Sequence, residues 1–196
     1  MKKEILTISR EYASGGRSIG KLTAGKLGIA FYDTEIVKEV VKKTGLSEAT
    51  IKNTEQRVTN SFLFNIAMGV DAGMNYMQQI YYAEKDIILE KAAAGPCVIV
   101  GRSADFILKS GVGSLRAFIY SELEKRMKYA VETYGVEASD ARAAITRSDR
   151  ERTLHSKSFT GLTWGERVNY DVMLNSGALG LEKCSDILAA LYRAQN

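Results

Sequence analysis

Cysteine, histidine and proline are scarce in this chain, and each scarcity excludes a kind of site or structure. The 196 residues include two cysteines, one histidine and one proline. Cys97 and Cys184 stand far apart and outside any CxxC spacing. Cys97 opens the apolar run 97–100, so a buried reduced thiol is expected there rather than a disulfide or a metal ligand. The lone His155 excludes a metal site built from several histidines. Average usage would give about ten prolines, so their scarcity predicts long regular elements.

Long apolar runs are also missing. No stretch of 18 or more apolar residues occurs, which excludes a membrane-spanning helix and makes a membrane partner unexpected. The first ten residues turn polar too soon for a signal peptide, so a cytoplasmic protein is expected. With 45% hydrophobic and 26% charged residues, low-complexity disorder is excluded. The length suits one domain, or one domain with an inserted subdomain.

The charge balance is modestly basic. The chain has 27 Lys and Arg against 23 Asp and Glu, a formal net charge of +4. Such a balance suits an anionic partner but does not separate nucleotides from nucleic acids or phosphometabolites. The basic residues are spread rather than clustered, and no RNA-binding aromatic motif occurs. A nucleic-acid partner is therefore not expected.

Short β-favouring apolar runs alternate with helical patterns along the chain. Strands are predicted at 5–8, 30–32, 97–101, 115–120 and 171–174. Helices are predicted after the first strand up to Gly28, and over 34–43, 122–134, 137–147 and 179–193. This alternation predicts an α/β fold, a five-stranded parallel sheet with helices on both faces.

Two longer segments stand apart from this alternation. Between about 58 and 94, apolar residues recur at spacings of three, four and seven, which predicts one long helix or two joined helices. Packing in the core or in an insert explains this stripe, and a homodimer contact through 58–94 is the second interpretation. The segment 147–167 is polar, basic and poorly periodic, which predicts a mobile loop or lid with His155 exposed on it.

Polar side chains follow four of the five predicted strands. The segment 14–18, Asp33, Arg102 and Ser121 each stand where a strand ends. In open parallel sheets, ligands bind outside the carboxyl ends of the strands. The sequence therefore predicts a site at this edge of the sheet.

A glycine-rich turn joins the first strand to the first helix. Residues 11–18 read Glu-Tyr-Ala-Ser-Gly-Gly-Arg-Ser, and the backbone amides of such a turn form an anion site. Against the phosphate-loop pattern G-x-x-x-x-G-K-[ST], Gly16 and Ser18 match, while Glu11 replaces the first glycine and Arg17 the lysine. Ser18 stands where such loops hold Mg²⁺. A tight connection without a ligand is the alternative that this loop alone leaves open.

With its flanks, this loop resembles the opening of the cytidylate kinases. The run 14–28, followed by Phe31-Tyr32-Asp33-Thr34, is similar to their phosphate loop, first helix and second strand. The Ser-Gly-Gly-Arg of 14–17 resembles the cytidylate kinase-like branch. Later segments agree in order: 98–102 resembles the strand ending in Gly-Arg near the monophosphate site, 149–152 resembles the D-x-x-R of the lid, and 169–171 begins the last strand.

The resemblance implies an adenylate-kinase-like fold and a nucleoside-monophosphate kinase. Its core would comprise 1–45 and 95–196, with a helical monophosphate-binding insert at about 46–94 and a lid at about 147–167. The implied reaction transfers the γ-phosphoryl group of ATP to CMP or dCMP with Mg²⁺. The implied contacts are Ser14, Gly15, Gly16, Arg17 and Ser18 for ATP, Ser18 for Mg²⁺, Asp33 and Arg102 for the monophosphate, and Arg17, Arg147, Asp149 and Arg152 for catalysis.

Several alternatives stay open at this point. Because Arg17 stands at the lysine position, a nucleotide-binding or sensing protein with impaired catalysis fits the same residues. Asp33 would equally serve as the cap of the helix that starts at Thr34. Asp149 and Arg152, three positions apart, would equally form an ordinary pair within a helix.

Overall fold

The sheet has five strands, all parallel. The computed structural model describes residues 4–51, 72–109, 111 and 113–195. The strand order is β2-β3-β1-β4-β5, and every neighbouring pair is parallel. The strands are β1 (Ile5–Arg10), β2 (Ala30–Tyr32), β3 (Cys97–Val100), β4 (Leu115–Tyr120) and β5 (Val172–Asn175). The predicted α/β fold with a five-stranded parallel sheet is confirmed.

Helices connect the strands and cover both faces of the sheet. Their bounds are α1 (Gly16–Leu27), α2 (Thr34–Thr44), α3 (Ala72–Ala94), α4 (Ala104–Ile107), α5 (Leu123–Tyr134), α6 (Ala141–Thr160), α7 (Ser176–Leu179) and α8 (Leu181–Gln195). As predicted, α1 ends at Gly28, whose φ of 66° is left-handed and whose N–H reaches the carbonyls of Ala24 and Gly25. Glycine adopts this conformation without a steric cost.

Two apolar cores lie on opposite faces of the sheet. Because side chains alternate along a strand, Ile5 packs with α2 and α3 on one face, and Leu6 packs with α1 and α8 on the other. All four residues of β3 are buried, as expected for a strand of a parallel sheet that is covered on both faces. The sheet is thereby a rigid base for the loops at its carboxyl edge.

The segment predicted as a lid loop is largely helical. Helix α6 continues to Thr160 and ends at Gly161, which has a left-handed φ of 70°. The loop prediction is therefore wrong over 147–160. The helical period escaped detection because the inner face of α6 is polar: Ser148, Arg152 and Ser156, at a spacing of four, line a cavity rather than an apolar core.

The long helical prediction is confirmed in its second half. Helix α3 spans Ala72–Ala94, and its buried Ile80, Ile87 and Ile88 join the core with α2. Residues 52–71, where the rest of that prediction falls, lie outside the described part of the chain. The homodimer contact through 58–94 stays a prediction.

Both cysteines are buried free thiols. Burial raises the pKa of Cys97 to about 11, so this thiol stays protonated at neutral pH and acts as a small apolar side chain. Among the described residues, no helix combines the length and apolarity needed to cross a membrane.

Candidate active site

The glycine loop between β1 and α1 has a fixed conformation. The Ser14 hydroxyl donates to the carbonyl of Glu11 at 2.9 Å and to that of Ile119 at 3.1 Å. Gly15 has a φ of 76°, and a Cβ at Gly16 would lie 2.5 Å from the Cβ of Arg10. Gly15 is therefore required by the left-handed backbone, and Gly16 by its close contact with the Arg10 side chain. The first turn of α1 presents amides that have no partner within the helix, which is the usual setting of an anion site.

Arg17 and Asp33 form an ion pair beside this loop. Arg17 Nε lies 2.6 Å from Asp33 Oδ2, and its side chain is 55% exposed. Arg10 Nη2 lies 3.7 Å from the other carboxylate oxygen of Asp33. The Asp33 side chain makes no capping hydrogen bond to α2, so the helix-cap alternative is wrong. Ser18 Oγ lies 2.9 Å from the Tyr129 hydroxyl on α5.

A cavity of about 560 Å³ opens next to the loop, at the carboxyl ends of β1 and β3. Three arginines from three different elements line it: Arg10 from β1, Arg102 after β3 and Arg152 from α6. Residues 14–18 are not part of its wall. Burial, together with the charge of Arg152, lowers the pKa of Arg10 to about 10; burial likewise lowers that of Arg152. The pKa of Arg10 still leaves it cationic at neutral pH, so the arginines offer contacts for an anion, in a wall that also contains the carboxyl groups of Glu48, Asp105 and Glu151.

A strained turn presents Arg102 to the cavity. Gly101, Arg102 and Ser103 have consecutive left-handed φ values of 80°, 57° and 51°. A non-glycine residue in this region costs on the order of 1–3 kcal/mol, and such strain concentrates at functional sites. Arg102 Nη1 is held 2.9 Å from Oε1 of Glu84, whose side chain is 1% exposed. A Cβ at Gly101 would overlap Nη1 of Arg10, so the glycine makes room for a second guanidinium.

His155 lies on the inner face of α6, and the expectation that it is exposed is wrong. Its side chain is 21% exposed and lines the cavity. Nδ1 lies 3.4 Å from the Ser103 hydroxyl, and Nε2 lies 4.0 Å from Oε2 of Glu84. Burial and the charge of Arg102 lower the pKa of His155 to about 3. The imidazole is therefore neutral at physiological pH.

This neutral histidine makes the stability pH-dependent. The unfolded state takes up a proton at about pH 6.5 and the folded state only near pH 3, so stability from His155 falls as the pH drops through this window. We expect the titration of His155 to lower the free energy of unfolding by about 1.4 kcal/mol between about pH 7.5 and about pH 5.5. Urea unfolding at both pH values measures the loss. The His155→Gln variant should not show this contribution to the loss of stability. If the variant loses as much stability as the unaltered protein, the assignment of the pH dependence to His155 is wrong.

An ion network lies behind the glycine loop, and no sequence pattern pointed directly to its buried centre, Arg126. This residue of α5 has a side chain that is 8% exposed, although the helix carries charges of both signs. Nη1 lies 3.1 Å from Oε2 of Glu11, and Nη2 contacts Asp149. Nε donates to the carbonyl of Tyr12 at 2.8 Å. The available signal was spacing: Arg126 lies four positions before the buried Ala130, on the same helix face.

Asp149 contacts protein groups rather than the cavity. One oxygen accepts from the backbone N–H of Tyr12 at 2.7 Å and lies 3.1 Å from Arg152. The pair with Arg152 is thus one contact of a larger network, and Asp149 is not part of the cavity wall. Arg147 is exposed on α6 and does not line the cavity either. Catalytic roles for both stay predictions.

The fold is that of phosphate-loop kinases. An uncharacterized protein from Eubacterium ventriosum superposes with a TM-score of 0.72 at 22% identity, covering 97% of this chain and 98% of that one. Shikimate kinase from Acinetobacter baumannii gives a TM-score of 0.54 at 11% identity over 98% and 94%. Shikimate kinase from Bacteroides thetaiotaomicron gives 0.54 at 12% over 96% and 98%. No curated protein matches the sequence.

The family follows from the sequence model. The chain belongs to the cytidylate kinase-like family, whose model matches residues 5–178. This confirms the resemblance found in the glycine loop and its flanks. Family and fold together support nucleotide kinase activity, with ATP as the co-substrate that the family implies.

Proposed function

We propose that this protein transfers the γ-phosphoryl group of ATP to a nucleoside monophosphate, with CMP and dCMP as the preferred acceptors. The observation that carries the proposal is the convergence of Arg10, Arg102 and Arg152 on one cavity beside the glycine loop. Phosphoryl transfer needs little covalent chemistry from the protein, because positioning and charge neutralisation supply most of the catalysis. Guanidinium groups suit this task because they bind phosphate oxygens in pairs.

In this proposal the two halves of the site divide the substrates between them. The amides at the start of α1 and Arg17 bind the phosphates of ATP. Arg102 and Arg152 bind the monophosphate in the cavity. Arg10 lies between the two, since it lines the cavity and also approaches Asp33, the partner of Arg17. To reach the transferred phosphoryl group, the guanidinium of Arg17 must either release Asp33 or bind the phosphate while it stays paired with Asp33.

The loop residues fit a magnesium ion that arrives with ATP. Mg²⁺ prefers oxygen ligands and usually binds through substrate phosphates and few protein groups. Ser18 offers one hydroxyl oxygen; if it donates its proton to Tyr129, 2.9 Å away, its lone pairs remain for the cation. When bound, the ion would neutralise charge on the β- and γ-phosphates. The carboxylate of Asp33 also lies beside the loop, but it is already paired with Arg10 and Arg17.

Asp105 supports an acceptor base that carries an amino group. It lies on α4, directly after the Gly101–Ser103 turn, and lines the cavity with Phe106 and Tyr170. A carboxylate accepts a hydrogen bond from the 4-amino group of cytosine, whereas uracil presents a carbonyl oxygen at that position. Asp105 would therefore favour CMP over UMP, with the aromatic side chains beside the base.

We expect Asp105→Asn to lower kcat/KM for CMP about tenfold and to improve UMP relative to CMP, because a base contact of this kind is worth about 1–3 kcal/mol. Burial raises the pKa of Asp105, so its carboxylate is lost on acidification earlier than for an ordinary aspartate. kcat/KM for CMP should fall as the pH drops through this raised pKa, and the variant should lack that step. An unchanged CMP-to-UMP ratio would contradict the assignment.

The decisive experiment is a coupled assay for ADP over a panel of monophosphates: CMP, dCMP, UMP, AMP and GMP. We expect turnover with CMP or dCMP well above the others and above the ATP hydrolysis measured without acceptor. Turnover with another monophosphate alone would disprove the acceptor assignment. ATP binding without turnover on any acceptor would support the alternative of a nucleotide-binding or sensing protein.

A further inference from the structure

An ion network centred on a buried arginine lies behind the glycine loop and links the loop to the acceptor cavity. It comprises Glu11, Arg126 and Asp149, here called the Arg126 network. Arg126 lies between the two carboxylates, 3.1 Å from Glu11 and in contact with Asp149. Glu11 also accepts from the backbone N–H of Ser121 at 3.1 Å, at the end of β4. The loop and α6 therefore meet at one guanidinium of α5, and Glu11 connects this guanidinium to the end of β4.

Both polar backbone groups of Tyr12 in the loop are held by this network. Its N–H donates to Asp149 at 2.7 Å, and its carbonyl accepts from Arg126 at 2.8 Å. The guanidinium of Arg152 lies over the Tyr12 ring, 5.7 Å from its centre, and 3.1 Å from the same Asp149 oxygen that Tyr12 occupies. A shift of the loop at Tyr12 therefore changes the two contacts that hold Arg152.

The charges of the network depend on one another. Removing either half-buried carboxylate leaves the buried guanidinium of Arg126 with less compensation of its charge, which is unfavourable. Glu11 stands where the phosphate-loop pattern has its first glycine, so this chain has a carboxylate where the pattern has no side chain. With Asp149 it balances the two guanidiniums of Arg126 and Arg152. This charge balance is a physical role for Glu11, which replaces the first glycine of the phosphate-loop pattern.

We propose that the Arg126 network is a positioning device that couples nucleotide binding at the glycine loop to the placement of Arg152 in the acceptor cavity. Its members contact each other, Arg152 and the backbone of Tyr12 and Ser121. The inference rests on the proposed function in taking the loop as the ATP site and the cavity as the acceptor site. Because coupling between two sites is reciprocal, acceptor binding would tighten nucleotide binding by the same factor.

Hydrogen exchange followed by mass spectrometry tests the coupling without any acceptor. The probe is AMP-PNP with Mg²⁺, and the readout is the exchange rate of α6 peptides around 148–156. In the unaltered protein we expect saturating AMP-PNP to slow this exchange at least about fivefold, the lower end of ordinary coupling between sites. A merely structural network would leave α6 exchange insensitive to the nucleotide.

Two nearly isosteric variants and one control complete the test. At AMP-PNP concentrations that saturate each protein, Asp149→Asn and Glu11→Gln should reduce the slowing to less than about twofold. Asp86→Asn, which alters an exposed pair with Lys43 at 3.0 Å, should behave as the unaltered protein. Equal slowing in all four proteins, no slowing in the unaltered protein, or no AMP-PNP binding would overturn the inference. Failure of the proposed acceptor appears instead in the monophosphate panel, which this experiment does not use.

Discussion

Arg17→Ala should lower kcat and kcat/KM together by about a hundredfold, or about 2.7 kcal/mol. During transfer, negative charge shifts between the β- and γ-phosphates, and in the usual phosphate loop a lysine neutralises this charge. Arg17 has that position in the sequence, is 55% exposed at the mouth of the loop and pairs with Asp33. Because its expected contribution is to the transition state, the KM for ATP should change little. Steady-state kinetics with the best acceptor of the panel measures the effect.

Two companion variants separate this role from a general loss of charge. Lys21 is exposed one helical turn further along α1, where its side chain is directed along the helix. Lys21→Ala should therefore keep kcat within about twofold of the unaltered protein. Arg17→Lys should retain or raise activity, since lysine is the usual residue at this position. If Arg17→Ala leaves transfer intact while Lys21→Ala abolishes it, the assignment of the loop cation is wrong.

Arg102→Ala should raise the KM for the acceptor by about a hundredfold and leave that for ATP within about threefold. A hydrogen bond to a charged group is worth about 1.5–3 kcal/mol, which sets this range. Arg102 lies in the cavity wall and not in the glycine loop, so only the acceptor should lose a contact. Initial rates with each substrate varied in turn separate the two constants.

The pair between Arg102 and Glu84 requires a control for folding. Removing the guanidinium leaves Glu84, whose side chain is 1% exposed, with a buried charge that lost a partner. Arg102→Lys keeps the charge and should give an intermediate acceptor KM if Arg102 binds the monophosphate. Arg142→Ala serves as the matched control, because Arg142 is 63% exposed and pairs only at 3.8 Å with Glu124. Equal effects on ATP and acceptor would argue against the assignment.

The sequence predicted the helices and strands whose buried face is apolar, and prediction failed where the buried face is polar. The strands and most helices have strong apolar periods that end at glycines such as Gly28, so their order and bounds were predictable. Helix α6 has a polar inner face toward the cavity, and its helical course beyond 147 was missed for that reason. The same polar face explains the wrong expectation for His155. Arg126 was not predicted, because in the sequence of a charged helix a buried arginine cannot be distinguished from a solvent-exposed one.

The α/β fold, the glycine loop with its family, and the strand ends at which polar residues gather could all be predicted from the sequence. These features depend on local patterns: period, glycine positions and short motifs. Which charged side chains meet depends instead on how the helices pack against the sheet. Asp33 pairs with Arg17 rather than capping its helix, Glu84 holds Arg102, and Arg126 joins Glu11 to Asp149. Packing brings Arg126 within hydrogen-bonding distance of Tyr12, 114 positions earlier, and no local pattern encodes such a contact.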